Sequence, residues 1–234
     1  MQWLRDYPFY NGNKQGKRVS VSEISGDDVL QMYFRRAFNL EREDKITQAT
    51  LGSIFDLGMR EIARESGLTS MHRVEKLLPN GWVLSGEGDL YDSEKNIIYD
   101  VKLTKIYALE QWKKEPKVHQ YTKQLNWYRI LCNESAELRL LWFLKDQTET
   151  KADHPKEALV QTVVPKLEQS ELLKEANEKI ELLEMMLESG IGKDVQCKDT
   201  WGGLRCKLYC EAREVCPYAK SKGFGRATPK ALKW

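Results

Sequence analysis

The 234-residue sequence has no apolar run approaching the about 18 residues that a membrane-crossing helix needs. Its opening, MQWLRDYPFY, lacks the apolar core of a secretory leader, so an intracellular, cytoplasmic location without membrane contact is expected. A surplus of one charge is also missing. Thirty-seven Lys and Arg stand against 35 Asp and Glu, a formal net charge of +2, so bulk electrostatics do not mark a nucleic-acid binder. Internal repeats and low-complexity segments are absent. Cysteine is scarce and unevenly spread. Of five in the chain, none precedes Cys132, and four fall in CKDTWGGLRCKLYCEAREVC. In a reducing compartment, crowding of that kind favours metal or cluster ligation over disulfides. Cys132, within an apolar helical stretch, reads as a small buried hydrophobe.

What is present supports one sizeable core, with 41% hydrophobic and 31% charged residues. The organisation expected is an irregular polar arm over 1–20, a core over 21–190, a cysteine-rich module over 191–218 and a basic tail over 219–234. That tail carries only Lys and Arg among its charges and reads either as a solubilising end or as a phosphate-contacting arm. A short helix is expected within VSVSEISGDDVLQMYFRRAF, with Val29, Tyr33 and Phe34 on one side. A second is expected over ATLGSIFDLGMREIARESG, with Leu51, Ile54, Phe55, Gly58 and Ile62 as its stripe. Strands are expected near 82–91 and 97–104, followed by a linker rich in Lys and Trp, a helix VHQYTKQLNWYRILCN, and strands ELRLLWFLKD and ALVQTVVP. A long amphipathic helix closes the core, with Leu172, Ala176, Ile180, Leu183 and Leu187 as its stripe and Gly190 as its stop.

The two strands around DSEKN carry the chemistry. If Asp92 faces Ile97, then Leu90 faces Tyr99, Asp89 faces Asp100 and Glu87 faces Lys102. This register sorts Leu90, Tyr99, Val101 and Leu103 onto one face and Glu87, Asp89, Asp100 and Lys102 onto the other. Opposed carboxylates roughly 5 Å apart repel unless a cation lies between them. Oxygen-only ligands suit Mg2+ or Mn2+, which polarises a phosphoryl oxygen and lowers the pKa of a bound water. Lys102, on the same face, can orient that water and offset charge developing on the phosphate, while Gly86 and Gly88 allow close approach of a substrate backbone.

The series GEGDLYD, YDVKLTK and QLNWY resembles the PD-(D/E)xK nuclease superfamily, specifically its RecB-like exonuclease branch of AddB nuclease domains, CRISPR-associated exonucleases and phage-encoded relatives. The resemblance runs from VSVSEISGDDVLQMYFRRAF through LGSIFD to the cysteine-rich end. It implies an α/β restriction-endonuclease-like fold, a mixed central sheet flanked by helices, with a C-terminal cysteine-rich metal or cluster module. The implied activity is that of a Mg2+- or Mn2+-dependent deoxyribonuclease, an exonuclease acting on DNA ends or single strands in phage-type recombination, repair or replication. Recombination or single-strand-binding proteins would be its partners. Carried over residue by residue, Asp89 and Asp100 become metal ligands, the Val101 carbonyl a third oxygen, and Lys102 the catalytic lysine. Gln124 and Tyr128 match the branch's Q-x-x-x-Y and share a helix face from which both reach a DNA strand or the active-site loop. Trp112, Trp127 and Tyr128 are then expected to stack on bases, and Arg35, Arg36, Lys105, Lys113 and Lys114 to meet phosphates.

Two departures from the family pattern stand out. Where the branch usually carries a metal-binding His in G-[ST]-x-x-H, this chain has Gly52, Ser53 and then Asp56, a carboxylate admissible around hard ions. Loss of the histidine also admits a catalytically weak or inactive DNA-binding accessory protein of the same fold. Glu61 and Glu65, further along the helix of Asp56, are lesser candidates for supporting the metal ligands, His72 and His119 are read as surface or packing residues, and Asp92 as turn chemistry. The branch's four-iron cluster usually has one Cys ahead of the core, and none is there. By resemblance Cys206, Cys210 and Cys216 match the trailing set, with Cys197 as fourth ligand; four thiolates can equally hold structural Zn2+.

Overall fold

The computed structural model describes residues 16–26, 28–38, 46–148, 154–190, 197, 203, 206–207 and 210–224, with the backbone alone at 46–53, 56 and 211. Most of the expected N-terminal arm and of the basic tail lies outside the described residues. The described chain begins with strand β1 (Arg18–Ser20), which leads into α1 (Val21–Gly26). Ser20 and Glu23 cap that helix reciprocally. The Glu23 N–H donates to Ser20 Oγ at 3.2 Å and the Ser20 N–H to the Glu23 carboxylate at 3.0 Å. The single expected helix is thus two, α1 and α2 (Val29–Phe38), the second started by Asp28 Oδ1 accepting from the Leu30 N–H at 3.0 Å.

Next come α3 (Ile46–Glu65), β2 (Thr69–Ser70), β3 (Val74–Leu77), β4 (Val83–Gly86), β5 (Leu90–Asp92) and β6 (Ile97–Thr104). They are followed by α4 (Ile106–Lys114), α5 (Gln120–Cys132), β7 (Glu137–Leu144), β8 (Leu159–Val163), α6 (Gln169–Ser189) and α7 (Pro217–Ser221). Five strands make a mixed sheet in the order β2-β5-β6-β7-β8, in which β6 and β7 are parallel and the other neighbours antiparallel. The parallel pair requires a crossover, which α4 and α5 supply. A smaller sheet has the order β1-β4-β3.

The strand expected over 82–91 is therefore broken. Its first half, β4, pairs parallel with β1 and antiparallel with β3, whereas its second half, β5, joins the large sheet. Gly86 and Gly88 flank the break. Beyond it the expected register holds: Leu90 pairs with Tyr99, Tyr91 with Ile98 and Asp92 with Ile97. The turn is fixed by Asp92 Oδ1 accepting from the Lys95 N–H at 2.9 Å and by Asn96 at φ 56°, a left-handed position that Asn tolerates. Asn96 Oδ1 also accepts from Tyr91 Oη at 3.0 Å and Asn133 Nδ2 at 2.8 Å, tying the hairpin to the end of α5.

Apolar layers cover both faces of the large sheet. One joins Ile98, Leu138, Leu140, Trp142 and Leu144 to Leu125 and Trp127 of α5 and to Leu172, Ala176, Ile180 and Leu183 of α6. The other joins Leu90, Tyr99 and Val101 to Ala63, Phe55 and Met59 of α3. Two helix stripes differ from expectation. On α3 the inward residues are Phe55, Met59 and Ala63, leaving Ile54 61% and Ile62 59% exposed; on α6 Met186 replaces Leu187 as the last buried position. The segment read as a Lys/Trp linker is helix α4, which buries Ile106, Leu109 and Trp112 at three-residue spacing. Gly190 does end α6, at φ 74° with its N–H donating to the Met186 carbonyl at 2.8 Å.

Candidate active site

Strand β6 carries the central pair, and the pleat decides where they point. Tyr99 and Val101 face α3, so Asp100 and Lys102 face the α5 side, over the positions of Leu140 and Trp142 on β7. Asp100 is 1% exposed. The Lys102 ammonium lies 2.5 Å from Asp100 Oδ2, the charge partner that such burial requires.

Asp89 reaches the same place by a different route. Pairing between β5 and β6 stops at Leu90 and Tyr99, and the Val101 N–H, which would otherwise seek the next residue of β5, donates to Asp89 Oδ2 at 2.7 Å. The carboxylate thus continues the ladder where the backbone leaves it. A strand residue directs its N–H and C=O to the same side, so the Val101 carbonyl faces this gap too.

Helix α5 closes the other side of Lys102. Gln124 Oε1 is 3.4 Å from the ammonium, and Gln124 Nε2 donates to Tyr128 Oη at 3.0 Å. The ammonium also lies over the Tyr121 ring, 4.6 Å from its centroid, with Tyr121 backed by Trp142 at 5.8 Å and His119 at 4.7 Å. Burial alone would push the Lys102 pKa down and is the largest single influence. The Asp100 and Asp89 charges, with the hydrogen bond to Asp100 and a smaller contribution from Tyr121, outweigh it and hold the lysine above its ordinary range. His119, which starts α5 by accepting from the Tyr121 N–H at 3.2 Å, has its pKa lowered by burial and then by the Lys102 charge. Tyr121 was not singled out in the sequence; its position three residues before Gln124, on the same helix face, was the available signal.

The loop bearing Glu87 is wedged in place. A Cβ on Gly86 would stand 2.7 Å from Val21 Cγ2 and 2.9 Å from Tyr128 Cε1, so the glycine is required for Tyr128 to pack there. Glu87 does not face Lys102 as the extrapolated hairpin implied. The strand break turns it towards α3, where Arg60 Nη1 lies 2.6 Å from Glu87 Oε1.

The fold has counterparts among known proteins. A model of the PD-(D/E)XK nuclease superfamily matches residues 43–217. The chain belongs to that superfamily. Its mixed sheet flanked by helices fits the restriction-endonuclease-like architecture. Among solved structures it is similar to SSO0001, at 16% identity and a TM-score of 0.62, covering 92% of this chain and 93% of that one. It aligns less closely with an alkaline exonuclease (LHK-Exo) from Laribacter hongkongensis, at 12% identity and TM-score 0.49, covering 74% and 90% of the two chains. A phage related exonuclease from Haemophilus somnus 129PT aligns at 14% identity and TM-score 0.45, covering 75% and 96%. No curated protein matches the sequence.

Several expected contacts of this superfamily member are displaced by burial. Trp112, Trp127 and Tyr128 are core residues and offer no face to a base; Trp112 donates instead to Thr122 Oγ1 at 3.0 Å. Arg35 is buried, and Arg36 is spent on the Arg18 carbonyl at 2.9 Å and on Glu23 at 3.5 Å. Lys105, Lys113 and Lys114 remain exposed. Cys132 is exposed at the last turn of α5 rather than buried. Asp56 lies on α3, but its side chain is outside the described residues.

Burial also governs the cysteines. Cys216 is buried with Leu30, Phe34 and Met186, Cys197 and Cys210 pack against that cluster, and Cys206 is buried nearby in sequence. The donor type suits a thiolate-bound group, yet among the described residues no three His, Cys, Asp or Glu side chains form a metal-holding group. The expected four-thiolate ligand set is thus not shown among the described residues, although Cys197, Cys210 and Cys216 share that one cluster.

Proposed function

We propose that this chain is a metal-dependent deoxyribonuclease that hydrolyses phosphodiester bonds at DNA ends or in single strands. The supporting observation is the meeting of Asp89, Asp100 and Lys102 where β5 parts from β6, with Gln124 of α5 at the lysine. The Gln124–Tyr128 hydrogen bond supports placement in the RecB-like branch. Asp89, Asp100 and the Val101 carbonyl would hold a Mg2+ or Mn2+ ion, since every donor is a hard oxygen and two are carboxylates. Asp56 is the further carboxylate we assign to that set. Once bound, the ion supplies Lewis-acid polarisation of the phosphoryl oxygen and a more acidic water.

The protein's own groups do the rest. Lys102, kept protonated by its two carboxylate neighbours, is no proton acceptor; its ammonium holds the attacking water or the phosphoryl oxygen and offsets charge as it develops there. Gln124 and the Tyr121 ring keep the flexible lysine stem in one position, with Tyr128 wedged against the Gly86 loop to fix Gln124. The cysteine-rich segment we assign a stapling role against α2 and α6, and no step above passes through a four-iron cluster or Zn2+. Metal content and visible absorbance of protein purified without oxygen distinguish those two.

The test uses end-labelled linear DNA, single- and double-stranded, with Mg2+, Mn2+ or EDTA. Wild type should degrade it only with a divalent ion, and Lys102→Ala and Asp100→Asn should not. Equal degradation by the variants removes the assignment. Binding without cleavage by wild type in every metal supports the accessory protein instead.

A further inference from the structure

Arg60 lies outside the chemistry just described, yet it lines the same small pocket as Asp89, Leu90, Val101 and Met59. We propose that Arg60 is a backbone-phosphate site for the nucleic-acid strand held at the Asp89–Asp100–Lys102 centre, and that Glu87 occupies this site when no strand is bound. The proposal rests on the nuclease reading.

Charge at the centre is the first argument. Asp89 and Asp100 bring two carboxylates to the centre, and Lys102 is committed to Asp100 at 2.5 Å. A polyanionic strand approaching that group needs a further cation within reach. On the α3 side of the pocket, Arg60 supplies it, and its planar fork matches two phosphate oxygens as well as it matches a carboxylate.

Exchange is the second. The Arg60 and Glu87 side chains are 34% and 30% exposed, so a phosphate from solvent can take the place of the Glu87 carboxylate, 2.6 Å from Arg60 Nη1, without opening the core. A half-exposed ion pair contributes little to folding, so stability does not account for it. The mobilities are also unequal. Glu87 sits on a loop whose flanking Gly86 has no room for a Cβ, whereas Arg60 has a long rotatable stem on one face of a helix. Displacement therefore consists of the arginine exchanging the carboxylate of a fixed loop for a phosphate of the bound strand.

The experiment measures binding of fluorescent single-stranded and duplex DNA in EDTA, where no cleavage occurs, over about 50 to 200 mM salt. A phosphate contact releases counterions, so Arg60→Ala and Arg60→Gln should lower the log–log salt slope by about 0.7 for single strands or 0.9 for duplex. Across that range the affinity gap to wild type then narrows by about threefold. Arg60→Lys should keep the slope. Glu87→Gln should bind more tightly than wild type, with a smaller gain in the Arg60→Ala background. Thermal unfolding of each variant should match wild type. An unchanged slope in both Arg60→Ala and Arg60→Gln, or an equal gain from Glu87→Gln in both backgrounds, overturns this site while leaving the nuclease reading intact. Wild type that binds neither DNA overturns this site, and the nuclease reading falls with it if wild type also degrades neither with Mg2+ or Mn2+.

Discussion

Asp100 carries its carboxylate at 1% exposure with the Lys102 ammonium 2.5 Å away, an arrangement more costly to hold than an apolar pair of the same size. Lys102→Met should therefore destabilise the protein by about 3 kcal/mol, since it leaves the buried Asp100 without its ammonium. Asp100→Asn with Lys102→Met should recover most of that loss, and neither variant should cleave DNA. Denaturant titration of wild type and the two variants checks this, and a double variant no more stable than the single would show that the pair is not held at a cost. The pKa of Lys102 is raised above 10.5, so the pair's contribution is complete below that pH and fades only as pH climbs through the folded value. Tyr121 acts through the lysine. Tyr121→Phe should keep kcat, whereas Tyr121→Leu, which removes the ring face, should lower kcat about tenfold with KM little changed, as the loss of a desolvated cation–π contact worth about 1–2 kcal/mol implies.

Among the elements, the break between β4 and β5 does the most to build the site. Had the strand continued, Glu87 would have faced Lys102 and the Val101 N–H would have had a backbone partner instead of Asp89. Gly86 sits at the break, with Val21 Cγ2 and Tyr128 Cε1 in the space of its missing side chain. Gly86→Ala should cost about 1–3 kcal/mol through overpacking and should lower kcat by moving Tyr128 and, through it, Gln124. A variant with wild-type melting temperature and activity would mean that the loop has room to shift.

At the scale of the molecule, α6 is held across the fold by Glu175. Both its oxygens lie 2.7 Å from Lys123 Nζ on α5, and Lys179 Nζ, 3.3 Å from Glu175 Oε1, donates to the Ile24 carbonyl of α1 at 2.7 Å. Burial raises the Glu175 pKa, but the Lys123 hydrogen bond and the charges of Lys179 and Lys123 outweigh it, leaving the pKa lowered from 4.5. A lowered carboxylate stabilises the fold above its unfolded value, and that contribution is lost as pH falls through the folded one. Stability of wild type should drop below pH 4.5 more steeply than that of Glu175→Gln, which at neutral pH should be about 1 kcal/mol less stable, a modest figure for a group this exposed. Parallel acid-unfolding curves would place the acid sensitivity elsewhere.

Short-range pattern made much of this protein legible from its residues alone. The alternation in IIYDVKLT placed Tyr99 and Val101 opposite Asp100 and Lys102, and turn chemistry at Asp92 and Asn96 fixed the hairpin register. Spacing of four put Gln124 beside Tyr128, and Gly190 marked the end of α6. The rest needed the whole fold. That β4 joins β1 rather than the large sheet depends on a partner more than sixty residues earlier, which no local pattern encodes. The inward face of α3 was decided by the sheet it covers, so Met59 and Ala63 won over the larger Ile54 and Ile62. Which tryptophans, arginines and cysteines are buried was likewise set by packing, because burial belongs to the surroundings a side chain meets and not to its own chemistry.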